Sequence, residues 1–273
     1  MNLKEKLTLI KDNGYQAPAE PFPLVQEMIN NIGSLDAELR DGLIYETLSH
    51  WIPDNVLTAH ELEELLPVIL DEEHLLYNLG ESNTDSVFTR SFSMLLIPLL
   101  FTRHNASPFL SKKDIQQIKQ CVFYSLREER DYRGYDEQKG WAHATAHAAD
   151  ALDELAQCPE LDQNDLLTIL NLVYDKMILA ERIYSDGEDE RMVRPVISVL
   201  NRKIIGQSYV EQWIQRFADV EKSPEFIPAF RQKNNIKNFL KSFYFRVKYY
   251  EVNIGLCPVI EETLYQVEKV YYA

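Results

Sequence analysis

Residues 140–154, Gly-Trp-Ala-His-Ala-Thr-Ala-His-Ala-Ala-Asp-Ala-Leu-Asp-Glu, hold more groups able to do chemistry than any other stretch of the chain. At about 100° per residue, His143, His147, Asp150 and Glu154 fall at roughly 0°, 40°, −20° and 20°, one narrow polar stripe on a helix. Two histidines at i and i+4 can reach one divalent cation, and a carboxylate one turn later completes a facial set. His143, His147 and Asp150 are therefore the candidate metal ligands, with Glu128, Glu129, Asp131, Glu188 or Asp189 as sources of another. Ala144 stands where an HExxH metalloprotease carries its glutamate base, so that chemistry lacks its base. Two metal-free readings stand beside ligation. In one the imidazoles donate to backbone carbonyls across a helix interface while Asp150 and Glu154 pair with arginines. In the other the stripe does acid–base or ligand-binding work.

Further candidates lie on the flanking segments. Arg90 sits in a largely apolar helical run, Asp-Ser-Val-Phe-Thr-Arg-Ser-Phe, where a buried guanidinium needs a carboxylate such as Glu129, Asp150 or Asp189. The alternative is an arginine whose head reaches solvent. Glu129, Asp131 and Arg133, and then Glu188, Asp189 and Arg191, fall in two charged segments that precede helices, so helix-start electrostatics is their simpler role. With Arg90, Trp141, His143, His147 and Asp150 they make up the candidate pocket. No phosphate-cradling glycine loop or serine triad motif is present.

The elements that must position these residues are helices. Leu3, Leu7 and Ile10 define the first, stopped at Gly14; Leu24 to Ile32 form a second, and Asp36 to Trp51 a third. Thr58 and Glu61 make a capping box for the next. A long apolar helix is expected over 84–103, kinked at Pro98, whose ring crowds the preceding turn. Helices follow from Ser111, over 140–154, from Asp162, over 192–205 and 208–220, from Pro224 to Tyr250 with a break near Asn234 and Asn235, and from Pro258 to Tyr272. The expected architecture is all-α: about a dozen helices in antiparallel pairs, a HEAT- or armadillo-like α/α superhelix forming a single domain over 1–273.

Composition narrows the function. The chain has 273 residues, with 28 Lys and Arg against 43 Asp and Glu, for a net charge of −15. That field repels nucleic-acid phosphates and anionic lipid headgroups. The basic residues between Lys233 and Lys248 interleave with Phe239, Leu240, Phe243, Tyr244 and Phe245, as on a core helix with a solvated face. The charged N-terminus lacks a signal-peptide core, the greasiest run, 94–101, is too short to span a bilayer, and three scattered cysteines suggest no disulfide framework. A cytoplasmic location is expected.

Taken together, residues 85–92, Glu-Arg-Asp-Tyr-Arg-Gly (129–134), the Trp-Ala-His-x3-His-Ala-Ala-Asp run (141–150) and Gly-Glu-Asp-Glu-Arg (187–191) resemble the bacterial family of uncharacterised proteins DUF2785. The resemblance implies a bacterial cytoplasmic protein of HEAT-like build and carries over no catalytic residues. The functional expectation is a binding or interaction role for an unknown protein or small-molecule ligand, through a concave pocket lined by the residues above. The alternative is a hydrolase using a divalent metal held by His143, His147 and Asp150.

Overall fold

A computed structural model describes residues 1–221, 223–250 and 253–269. It is all-α apart from one minimal hairpin. The chain divides into two compact units, Met1–Glu154 and Leu155–Ala273.

In the first unit, α1 (Leu3–Asp12) begins with an Asn2/Glu5 capping box, in which side chains satisfy amides that the first helical turn leaves unpaired. After α2 (Phe22–Ile29), the third expected helix is a π-helix over Glu38–Tyr45 running into α3 (Glu46–Trp51). The π form is rare and concentrates at functional sites. The Thr58/Glu61 box starts α4 (Ala59–Ile69) as expected.

The long apolar helix is two, α5 (Ser86–Met94) and α6 (Leu96–Ala106), hinged at Leu95. Pro98 offers no amide to the carbonyl of Met94, four residues back, and its ring crowds that carbonyl, so the break falls just ahead of the proline. Helix α7 (Lys112–Glu128) has the Ser111 cap. The hairpin follows, with Tyr135–Asp136 (β1) antiparallel to Gly140–Trp141 (β2). Asp136 closes its turn by accepting the amides of Gln138 and Lys139 at 3.0 Å each. Helix α8 (Ala144–Gln157) leaves this hairpin. It is buried from Ala144 to Asp153, most of its alanines among the least exposed of the described residues, while Glu154 is half-buried and Gln157 exposed. Ala142 and Ala144 pack on Val87 and Phe88 of α5, a close approach that small side chains permit.

The second unit holds α9 (Gln163–Met177), α10 (Glu188–Asn201), α11 (Gln207–Gln215), α12 (Phe226–Tyr249) and α13 (Cys257–Glu268). Helix α10 packs on α9 and α12, and α13 on α11 and α12. Two expectations are corrected here. Helix α10 starts four residues before Met192, so the charged segment 188–191 is its first turn. Helix α12 is unbroken at Asn234 and Asn235 because Asn235, 1 % exposed, uses its amide elsewhere. It donates to the carbonyls of Leu179 and Arg182 and accepts the Tyr184 amide. Tertiary bonds thus override its helix-breaking preference. The expected helix end at Tyr272 lies outside the described residues.

Candidate functional site

Arg90 is 2 % exposed and is a structural clamp. Its Nε and Nη2 donate to the two carboxylate oxygens of Glu129 at 2.7 and 2.9 Å, a fork-to-fork pair. Nη1 donates to the Tyr77 carbonyl (2.9 Å) and the Ser86 hydroxyl (2.7 Å), and Nη2 also reaches the Glu81 carbonyl at 3.3 Å. All five guanidinium N–H groups are thereby engaged. Glu129 follows the end of α7 and lies ahead of no helix, which corrects the helix-start reading for it. It also accepts the amides of Arg130 and Asp131.

The neighbouring pair is equally committed. Asp131 accepts the Asn83 amide at 2.8 Å and the Arg133 Nε and Nη2 at 2.9 and 2.7 Å. That hydrogen bond raises the Arg133 guanidinium pKa further. Arg90, Glu129, Asp131 and Arg133 are therefore brought together as a staple that closes the loops before α5 and after α7.

His143 stands just ahead of α8, with φ +52°, and its carbonyl accepts the His147 amide as the helix begins. The His147 Nδ1 lies 3.1 Å from the Ser91 carbonyl, an acceptor, so that nitrogen carries a proton and ties α8 to α5. Among the described residues, no three His, Cys, Asp or Glu side chains are grouped to hold a metal ion. Asp150 is 8 % exposed on α8.

His143 and His147 instead belong to an aromatic series. Tyr135 meets Trp141 edge-on at 4.8 Å, and Trp141 stacks on His143 at 4.6 Å and 17°. The His143 ring meets His147 at 5.6 Å, His147 meets Phe92 at 5.2 Å, and Phe92 meets Tyr45 at 6.3 Å. Both ends of the series, Tyr135 with Trp141 and Tyr45, line a cavity of about 550 Å³, within the range of small-molecule sites. Trp141 is 37 % exposed, whereas Trp51 and Trp213 are buried. Gly140 has φ +74°, and a Cβ there would meet the Cβ of Ala37 at 2.9 Å, so the hairpin closes on the π-helix only with glycine at this position.

The remaining wall is acidic: Glu38, Asp41 and Glu46. Glu38 pairs with Lys4 at 2.7 Å, and Glu46 with Lys11. The Lys11 and Tyr15 hydrogen bonds hold the Glu46 carboxyl below its ordinary range. Burial and then the charge of Glu46 push the Asp41 carboxyl up, opposed by Arg40. Sequence reasoning found Trp141 and missed Asp41, Tyr45 and Tyr135. An acid on a helix reads as a solvated face, and a two-residue strand has no periodicity to detect.

In the second unit Glu188 is 2 % exposed and accepts the Asp186 amide; burial raises its carboxyl pKa. Asp189 accepts the Ser242 hydroxyl at 2.7 Å, linking α10 to α12, and Arg191 shares that first turn of α10.

The fold and site define an all-helical protein with a small-molecule-sized, aromatic and acidic cavity. The chain belongs to the DUF2785 family, described as a protein of unknown function, whose profile matches residues 75–245. The match contains Tyr135, Trp141 and the Arg90 staple, while Asp41 and Tyr45 precede it. No curated protein and no solved structure matches the chain. Among the described residues no helix is long and apolar enough to cross a membrane.

Proposed function

We propose that the protein is a small-molecule-binding module of helical-repeat type whose ligand enters the cavity beside Trp141. One observation carries this reading. The charged residues of the staple are consumed by internal hydrogen bonds, while Trp141, on the hairpin that follows it, stays partly exposed and lines the cavity with Tyr45 and Tyr135. A rigid aromatic surface held in place by His143 is suited to bind a ligand with little loss of conformational entropy. The successive packing of α9, α10, α12 and α13 supports the repeat-like build. The metal-hydrolase alternative has no ligand group to support it among the described residues.

The test is a thermal-shift screen of cationic, neutral and anionic small molecules against wild type and Trp141→Ala. At least one chemical class should raise the melting temperature of wild type, because a ligand that binds only the folded state stabilises it. That rise should be absent from Trp141→Ala. Equal rises in both proteins, or none in either, would remove the basis for this assignment.

A further inference from the structure

Three carboxylates stand around the Trp141 cavity, and among the described residues two of them are ion-paired to a lysine. Lys4 reaches Glu38, and Lys11 reaches Glu46. Asp41 lies between them in sequence on the π-helix, lines the same cavity, and among the described residues accepts no side-chain hydrogen bond and forms no ion pair. Its neighbour Arg40 gives no such bond. The Arg40 guanidinium turns instead to the carbonyls of Ser34, Lys139 and Trp141, with its carbon 4.4 Å from the Phe88 centroid and 4.7 Å from that of Phe92.

A half-buried carboxylate without a donor is costly, and one beside a second acid more so. Burial pushes this carboxyl up, the nearby Arg40 charge opposes the shift only in part, and Glu46 adds to it. The same lining holds Tyr45, Tyr135 and Trp141, aromatic rings of the kind whose negative quadrupoles attract cations. A ligand carrying an N–H-bearing positive charge on a short apolar body would meet both demands. It would donate to Asp41 and rest its carbon chain on the rings. The net charge of −15 favours its approach.

We infer that the cavity binds a compact organic ammonium compound, with Asp41 as its counter-ion and Trp141, Tyr135 and Tyr45 as its aromatic walls. The inference rests on the cavity being the ligand site and adds the ligand's charge class and its acceptor. Among the described residues an anionic ligand meets no cation on the cavity lining, and a quaternary ammonium would leave the Asp41 acceptor unused.

The experiment is calorimetric titration of the full chain with 1,4-diaminobutane, using the neutral 1,4-butanediol and the anion butyrate as matched probes. The diamine should saturate one site, and the diol and butyrate should bind at least tenfold more weakly. Asp41→Asn and Trp141→Ala should each weaken the diamine at least tenfold. Asp41→Asn keeps the shape and breaks no hydrogen bond, so a melting temperature no lower than that of wild type would assign its loss of binding to the charge. Diamine binding unchanged in Asp41→Asn overturns the inference, as does the absence of saturable diamine binding. If butyrate or the diol binds instead and Trp141→Ala abolishes it, the cavity reading stands and only the ammonium assignment falls. If no probe of any charge binds through Trp141, both fall.

Discussion

Arg90 and Arg40 are both buried guanidiniums of the first unit, and they are opposites. Arg90 has a carboxylate in bidentate contact and a partner for every N–H. Arg40 is fully buried, its Nε has no hydrogen-bond partner among the described residues, and it rests on carbonyl oxygens and two phenylalanine rings. Burial lowers its pKa to about 10. A saturated cluster is architecture, because nothing in it remains to bind. The charge left without a carboxylate in contact is bonded to the Lys139 and Trp141 carbonyls at the β2 strand and is next in sequence to Asp41. In this unit the most conspicuous charges in the sequence brace the fold, and the inconspicuous ones border the space where a ligand fits.

The comparison can be broken most forcefully at Arg90. Arg90→Met should lower unfolding free energy by about 3–5 kcal/mol in urea denaturation, since it strands Glu129 in the interior. Arg40→Met should cost about 1–3 kcal/mol, because it leaves carbonyls, not a carboxylate, without donors. Equal costs would erase the distinction between the two arginines. His147→Ala, which frees the Ser91 carbonyl, should fall in the same lower range, about 1–3 kcal/mol, without abolishing diamine binding. Complete loss of binding at unchanged stability would make His147 a ligand-contacting residue.

Trp141→Ala should cost only about 1 kcal/mol, the worth of a partly exposed aromatic stack, so it separates binding from folding. The smallest effect has the opposite sign. The folded-state Asp41 carboxyl is raised, so the folded protein binds more protons than the unfolded chain as pH crosses the carboxylate range. Stability from this group is present below its unfolded pKa and lost as pH rises through its raised folded value. Asp41→Asn should therefore increase the melting temperature at neutral pH, by about 1–2 °C after allowance for solvent screening, and the gain should vanish in acid. A decrease at neutral pH would show that Asp41 has a stabilising partner.

Much of this architecture is legible in the sequence, because capping boxes and proline positions report local bonds. Thr58/Glu61 and Ser111/Asp114 mark their helix starts, and Pro98 announces the α5–α6 hinge. The expense of burying an arginine alone calls for a carboxylate at Arg90, and the fold selects Glu129 over Asp150 and Asp189. Features set by tertiary contact are not legible. Asn235 reads as a helix breaker until the loop carbonyls it satisfies are known. His143 and His147 keep the spacing of a metal pair, and the chain turns at His143 to complete the hairpin and starts the helix after it.

The cavity assignment is tested most directly by the three tryptophan indole N–H resonances. Trp51 and Trp213 donate theirs to the carbonyls of Tyr15 and Leu170 inside the protein, whereas Trp141 borders the cavity. In a ¹H–¹⁵N correlation spectrum, with the Trp141 peak assigned by Trp141→Phe, 1,4-diaminobutane should move that peak to saturation and leave the other two in place. A stationary Trp141 peak, or equal movement of all three, would contradict the assignment of this cavity as the binding site.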